Sequence, residues 1–357
     1  MEHLFAFLRR AATFVAIGAE RMAWSTPIAV GLFSLWMPIR IFAQDLHFSH
    51  FYLHPIALNP AATGVFEGDL RFAGAYRSQW QQVPVRYNSF VAAADWKALR
   101  RNTNLLSVGL ALQHDFAGDA GLSWSQAMAT AAVTQAVGEH QALGVGFGFG
   151  MAQRAFDQSA LTFKNQWTGD VFDPSLPKKE ALLNSTGVVP TLAAGGHWHW
   201  SAADTRTHLD AGVGAMHLNR PKFSFDPDSP NRLPVRLTVN AVGGVQVAER
   251  WDVVGFAALQ RMAQAQELVV GGGGRVILST GPANFTAVQM SLALRGKDAW
   301  VPALQVERNA WTVGLSYDIN TSPFQVATRR RGGFEVAVVY RRVPVAEVKS
   351  VKTCPIF

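Results

Sequence analysis

Several stretches of the chain alternate between large apolar residues and small or polar ones. The segment 106–112 reads Leu-Ser-Val-Gly-Leu-Ala-Leu, and segments 143–151, 311–320 and 334–341 keep the same period of two. Because a β-strand points successive side chains to opposite faces, each segment has one apolar face and one small or polar face. The pattern predicts β-strands as the main element of the chain.

The composition of the second face decides between two all-β architectures. In a soluble sandwich that face meets water and is usually rich in Lys, Glu and Thr, whereas here it carries mostly Gly, Ala, Ser, Asn and Gln. Small side chains suit the crowded interior of a closed barrel, and a closed barrel satisfies every backbone hydrogen bond in lipid. Fourteen such segments can be marked, an even number as in bacterial outer-membrane proteins. We therefore predict an all-β, transmembrane antiparallel β-barrel over residues 68–342, with a soluble exported sandwich as the alternative.

Residues 1–43 differ from the rest of the chain. Three arginines precede an uncharged run over residues 22–39, and Ala43 leads into the polar pair Gln44-Asp45. This order is typical of a cleavable export signal, so we predict a signal peptide over 1–43 and an outer-membrane location. Met1 and Met22 both remain possible starts, and an uncleaved membrane anchor is the alternative.

Composition narrows the function classes. The net charge of +7 comes from scattered residues, which argues against nucleic-acid binding. The single cysteine, Cys354, excludes an intramolecular disulfide framework and a multi-cysteine zinc site. Tryptophans and a tyrosine near the segment ends suggest a belt at the membrane boundary. These residues are Trp80, Trp96, Trp124, Trp198, Trp200, Trp251, Trp300, Trp311 and Tyr340.

Irregular stretches interrupt the alternation. The longest covers residues 157–186, and a second, polar stretch covers residues 220–232. In a barrel such long connections are expected on the external side. Residues 343–357 follow the last strand and are expected to form a periplasmic tail.

Three patterns resemble chemical sites without completing one. His197 and His199 share a strand face and could hold a metal, but no third ligand is evident, so polar packing in the lumen is favoured. The run Gly271–Gly274 lacks the Lys-Ser/Thr and the helix that a phosphate loop needs. No local signature joins a serine, a histidine and an orienting acid, as a lipid hydrolase requires. We therefore predict no catalytic, metal or cofactor residues.

The stretch before the first strand, predicted as an N-terminal periplasmic or plug segment over residues 44–67, is the candidate functional site. Asn59, Pro60 and Gly64 have the composition of a turn, which leads either into a segment that plugs the lumen or docks a periplasmic partner, or simply into strand one. Arg77 lies near the end of that strand and could pair with a lumen carboxylate such as Asp318 or Glu335, since charges inside a barrel need partners.

A set of weak motifs, taken in order, points to a family. They are Gln44-Asp45-Leu46-His47-Phe48, Asn59-Pro60-Ala61-Ala62-Thr63-Gly64, Tyr76-Arg77-Ser78-Gln79-Trp80, Met216-His217-Leu218-Asn219-Arg220-Pro221, Asp298-Ala299-Trp300-Val301-Pro302, Gly332-Gly333-Phe334-Glu335 and Cys354-Pro355-Ile356-Phe357. Together they resemble the PorP/SprF family of Bacteroidota outer-membrane proteins, associated with type IX secretion and gliding motility. In the terminal motif, Ile356 stands where the family usually has Arg.

The resemblance implies a role for the barrel and a set of partners. The family holds or helps export cell-surface proteins, including adhesins. Its partners are the C-terminal domain of a secreted client, the periplasmic ring and lipoprotein components of the machinery, and outer-membrane lipid. It is not enzymatic. On this reading Gln44, Asp45, Asn59, Pro60, Gly64, Tyr76, Arg77 and Trp80 are candidate plug or partner-binding residues. The alternative function is a porin or solute channel.

Overall fold

The computed structural model describes residues 46–79, 81, 86–118, 120–177, 186–225, 230–281, 284–323 and 325–343. The predicted signal peptide, Gln44, Asp45, Trp80 and the tail with Cys354 lie outside the described residues.

Within the described residues, fourteen antiparallel strands close into a barrel, as the alternation predicts. The first strand pairs with both the second and the last, so the wall has no free edge. The strands are β1 (Leu70–Gln79), β2 (Tyr87–Arg101), β3 (Asn104–Ala117), β4 (Leu122–Ala136), β5 (Gln141–Ala155), β6 (Trp167–Thr168), β7 (Val171–Phe172), β8 (Thr186–Ser201), β9 (His208–Met216), β10 (Arg236–Ala248), β11 (Trp251–Met262), β12 (Ala265–Gly281), β13 (Asn284–Arg295), β14 (Ala299–Arg308), β15 (Trp311–Asn320) and β16 (Arg331–Arg342). Of these, β6 and β7 form a separate hairpin between β5 and β8.

The two faces of the wall have the predicted character. In β5 the side chains of Phe147 and Phe149 are 68% and 60% exposed. Gly146, Gly148 and Gly150 between them are buried on the inner side. The apolar rows therefore face outward and do not meet each other, which excludes the two-sheet sandwich. A surface of this kind is the lipid-facing band of a membrane barrel.

The two ends of the barrel differ in the length of their connections. At one end the turns are short, with residues 102–103 between β2 and β3 and residues 309–310 between β14 and β15. At the other end the connections are longer, since residues 156–185 separate β5 from β8 and residues 217–235 separate β9 from β10. Both Leu70 and Arg342 lie at the short-turn end. In bacterial barrels this is the periplasmic end, and the long loops are external.

Most of the predicted belt residues lie on the outward face near strand ends. Trp96, Trp251 and Trp311 are exposed near the periplasmic end, and Trp300 is exposed near the external end. Trp124 is an exception, so that part of the prediction is wrong. Its side chain points inward and its ring packs edge-on against His217 and Phe223, with centroids 5.8 and 5.0 Å away.

The described part of the chain contains no helix that is long and apolar enough to cross a membrane.

Candidate functional site

Residues 46–66, here called the luminal segment, lie inside the barrel. The segment folds as three short 3-10 turns, Phe51–Leu53, Pro55–Ala57 and Pro60–Ala62. Its polar atoms bond to inward-facing groups all round the wall, including Glu335 on β16 and Gly196 on β8. Gln113 on β3 and Arg236 on β10 both donate to the carbonyl of Ala57, at 3.1 and 3.0 Å. Bonds to four sides of a closed sheet place the segment in the lumen.

Near the external end, one carboxylate receives the first turn of the segment. The backbone N–H groups of Ser49 and His50 donate to the two oxygens of Glu335, at 2.7 and 2.8 Å. The side chain of Glu335 is almost fully buried. Hydrogen bonds to a buried carboxylate are charge-assisted and stronger than neutral ones. They compensate for the removal of that charge from water.

Around this contact lies a cluster of ions, here called the buried ion cluster. Arg77 Nη2 lies 2.6 Å from Asp318 Oδ2, and Arg295 Nη1 lies 3.0 Å from the same oxygen. Arg295 Nε is also 3.4 Å from Glu267 Oε1, an ion pair without hydrogen-bond alignment. Arg77 further donates to the carbonyl of His47 at 2.7 Å. The predicted pairing of Arg77 is thus confirmed with Asp318, and the pair also holds the segment.

The turn at Asn59 packs closely against Gly146 and Gly195 of the wall, here called the glycine seat. The Asn59 side chain caps its own turn by accepting from Ala61 N at 2.9 Å, and it donates to Gly196 O at 2.9 Å. A Cβ placed on Gly146 would lie 2.5 Å from the backbone nitrogen of Ala61, and one on Gly195 would overlap the Asn59 amide. Only glycine lets the wall approach the segment this closely.

The end of the segment is tied to the wall before it enters β1. Thr63 Oγ1 lies 2.8 Å from Thr130 Oγ1, and the Gly64 N–H donates to Asp95 at 2.7 Å. Asp95 is itself paired with Arg71 at 2.8 Å. Gly64 has φ +79°, a conformation that favours glycine, so the backbone conformation explains why glycine stands at this position of the motif.

The middle of the segment is mostly apolar and contains one buried histidine. Phe51 and Leu58 pack with Phe256 on the wall. His54 is buried, its ring lies edge-on to Phe48 at 4.8 Å, and neither ring nitrogen has a hydrogen-bond partner among the described residues. Burial disfavours the charged imidazole and lowers the pKa of His54 from 6.5 to about 4.

The external mouth is narrowed by the loop between β9 and β10. Phe223 and Leu233 from this loop pack with Met262, and Trp124 lies against the same group. The sequence suggested a polar loop at 220–232, but its apolar side chains turn inward. Phe223 and Leu233 stand singly among Pro, Asp and Ser residues, so the sequence has no alternating pattern there that would predict their burial.

The two histidines on β8 have a structural partner that the sequence analysis did not identify. His197 Nε2 and His199 Nδ1 both contact Asp210 Oδ1, at 3.1 and 2.9 Å. Asp210 lies opposite His199 in the β8–β9 register. No group of three His, Cys, Asp or Glu side chains that could hold a metal occurs in the described ranges.

The predicted site residues separate into three groups. Asn59, Pro60, Gly64 and Arg77 are all buried in the lumen, with Arg77 near the external end and Gly64 toward the periplasmic end. Tyr76 instead faces outward, where its hydroxyl donates to Asn88 Oδ1 at 2.9 Å. The remaining candidates, Gln44, Asp45 and Trp80, lie outside the described residues.

An apolar outer wall, a polar interior and asymmetric ends define an outer-membrane β-barrel protein. The sequence profile of the type IX secretion system membrane proteins PorP/SprF matches residues 41–340. The chain belongs to that family. Among curated proteins, none matches the chain significantly.

Solved barrels resemble the structure at low identity. A TodX monoaromatic hydrocarbon channel, the deltaS2S3 mutant, has a TM-score of 0.49 at 10% identity, covering 80% of this chain and 92% of its own. The Pseudomonas putida toluene transporter TodX scores 0.43 at 8%, covering 80% and 91%. CdiB from Escherichia coli scores 0.43 at 10%, covering 75% and 63%. Likenesses at this level carry no function to this chain.

The glycine seat predicts a local effect of one methyl group. Gly146→Ala places a Cβ against the Ala61 backbone, and overpacking of this kind costs about 1–3 kcal/mol. We expect amide hydrogen exchange over residues 58–64 to accelerate by about tenfold or more. Gly274→Ala is the matched control, because its Cβ meets nothing within 4 Å. Equal exchange in both variants would contradict the seat.

The buried ion cluster predicts non-additive effects. Arg77→Gln alone removes one of the two arginines that neutralise Asp318, and Asp318→Asn alone removes the carboxylate partner of Arg77; breaking a buried pair in this way costs about 3–5 kcal/mol. The double variant should cost clearly less than the sum of the two, measured as the free energy of unfolding in urea. Arg342→Gln, which breaks the exposed pair with Asp69, is the control and should change little. Strict additivity would show that Arg77 and Asp318 do not interact.

His54 predicts a pH response of the luminal segment. Because its pKa is lowered in the folded state, the neutral ring contributes full stability above its ordinary pKa of 6.5, and that stability is lost as the pH falls toward 4. Protease cleavage within residues 46–66 should therefore increase between pH 7 and pH 4.5, after correction for protease activity. His54→Phe keeps the contact with Phe48 and should weaken this response. If His54→Phe showed the same increase in cleavage at low pH, a group other than His54 would be responsible for the pH response.

Proposed function

We propose that the protein is a non-enzymatic, non-conducting adaptor barrel of the type IX secretion or gliding apparatus. It holds or helps export a cell-surface protein, such as an adhesin, by binding the C-terminal domain of that client. It meets the ring and lipoprotein components of the machinery on the periplasmic side. The occupied lumen carries this proposal: a barrel filled by its own residues 46–66 suits a scaffold better than a path for solutes.

The anchoring of the luminal segment supports the same reading. Its first turn is bound to Glu335 near the external end, and its last residues are bound to Asp95 toward the periplasmic end. A segment tied at both ends, with apolar packing between, fills the lumen as a fixed plug. The inward-turned Phe223 and Leu233 narrow the external mouth further.

The external end offers the surface on which a client would be met. Trp167 and Val171 in the β6–β7 hairpin are 52% and 66% exposed, and Val326 in the short helix Gln325–Thr328 is 83% exposed. Aromatic side chains are enriched in protein interfaces, and exposed apolar side chains beside them add contact area for a partner. The opposite end, with its short turns, faces the periplasmic components.

Planar-bilayer recording separates this proposal from the alternative of a porin or solute channel. The full chain is expected to give little steady current, because the luminal segment obstructs the path. Deletion of residues 46–58 should produce clear single-channel openings in barrels that remain folded. Deletion of residues 160–172 in the external loop, which has the same length, is the control and should stay closed.

Large steady currents through the unaltered protein would contradict the proposal and favour the channel.

The proposed binding of partners is tested by capture from detergent-solubilised outer membranes followed by mass spectrometry. A secreted C-terminal domain and ring components should be enriched with the full chain, and Trp167→Ser should reduce the client selectively. Recovery of neither class would reject the adaptor role even if the barrel proved closed.

A further inference from the structure

The outer wall carries a concavity that the plug and the loops do not explain. It lies across β16, β1, β2 and β3, is open to the outside, and has a volume of about 540 Å³. Small residues, Gly74, Ala92 and Ala94, form its floor, and larger apolar side chains such as Leu110 and Leu112 form one rim. Larger outward side chains on the neighbouring strands, Leu110, Leu112 and Val338, flank these small residues, so the lack of bulk between them creates a groove in the lipid-facing surface.

The register fixes the level of the groove in the membrane. Gly74, near the middle of β1, pairs with Ala92 on one side and Val338 on the other. Toward the periplasmic end the groove is bounded by a row of three aromatic rings, Phe72, Tyr340 and Trp311, which are neighbours across adjacent strands. The Trp311 and Tyr340 rings have centroids 4.9 Å apart. The groove therefore spans the periplasmic half of the bilayer and ends at its boundary.

Two arginines stand beyond the aromatic row. Arg308 is the cross-strand partner of Trp311, and Arg342 follows Tyr340 by two positions on the same outward face. Both are exposed, and Arg342 is held by Asp69 at 2.7 Å. They lie on strands two apart, roughly 10 Å across the sheet. This places positive charge at the level where the phosphates of the inner leaflet lie.

We propose that this groove binds a glycerophospholipid of the periplasmic leaflet. One acyl chain lies along Gly74, Ala92 and Ala94, and the phosphate is bound by Arg308 with help from Arg342. Charge complementarity favours this occupant, because an anionic headgroup matches the guanidinium groups, whereas a second copy in a two-fold contact would oppose arginine to arginine. A stable dimer also needs about 1,200–2,000 Å² of buried surface, more than a groove of this size offers.

The test is native mass spectrometry of the detergent-purified full chain titrated with palmitoyl-oleoyl phosphatidylglycerol. One lipid should be retained by the unaltered protein after annular lipid is stripped. Ala92→Leu fills the groove and should weaken retention by about tenfold, as expected when a few methylenes lose their contacts. Arg308→Gln should weaken retention of phosphatidylglycerol without altering the fold. Ala131→Leu, an outward alanine on β4, is the matched control and should bind like the unaltered protein.

Three outcomes would overturn the proposal. Equal retention in Ala92→Leu and Ala131→Leu would mean annular lipid only. A dimer that is lost specifically in Ala92→Leu would assign the groove to a second copy. An acylated protein displaced by Ala92→Leu, with no phospholipid bound, would assign it to a lipoprotein anchor. Resistance of each folded variant to SDS at room temperature confirms that the barrel is intact.

Discussion

A closed sheet in lipid must turn its apolar side outward, and every polar or charged side chain that remains must then find a partner inside. Here the inner wall carries Arg77, Arg295, Asp318 and Glu335, all nearly inaccessible to water. Buried charges are tolerated only when they are paired and hydrogen-bonded. The pairing is incomplete within the wall itself, since Glu335 is satisfied by backbone N–H groups of residues 49 and 50. The luminal segment is thus a part of the barrel's interior rather than an addition to it.

The same segment is held by three kinds of contact that act over its length. Charge-assisted bonds hold its beginning, apolar packing around Phe51 holds its middle, and close backbone approach to glycines holds the turn at Asn59. Each kind depends on the others being in place, because a shifted segment would leave carboxylates unpaired and polar wall groups facing a void. The occupied lumen joins the fold to the proposed function, since on that proposal the segment makes an anchor of a barrel of pore-forming size.

Much of this architecture could be predicted from the sequence, because a period of two is a local property. The pattern defines the strands and their outward faces, and it places Arg77 on the inward face. An ion pair between Arg77 and a carboxylate in the lumen could be predicted from that position. The belt prediction was wrong for Trp124, because it was based on how near an aromatic residue lies to a strand end. The alternation along β4 places this side chain on the inward face. Asp210 was not identified as the partner of His197 and His199, because the contact depends on the β8–β9 register, which local pattern does not contain. The inward turn of Phe223 and Leu233 likewise depends on the shape of the mouth.

Disulfide trapping tests the central claim, that residues 46–66 occupy the lumen, most directly. Thr63 and Thr130 have hydroxyl oxygens 2.8 Å apart, a separation from which two cysteines can bridge with little backbone movement. In a Cys354→Ser background, Thr63→Cys with Thr130→Cys should cross-link readily upon mild oxidation of the folded barrel. Thr63→Cys with Ala131→Cys, whose second cysteine faces lipid, should not. A folded barrel in which the first pair fails to cross-link, or in which both pairs do so equally, would contradict an occupied lumen.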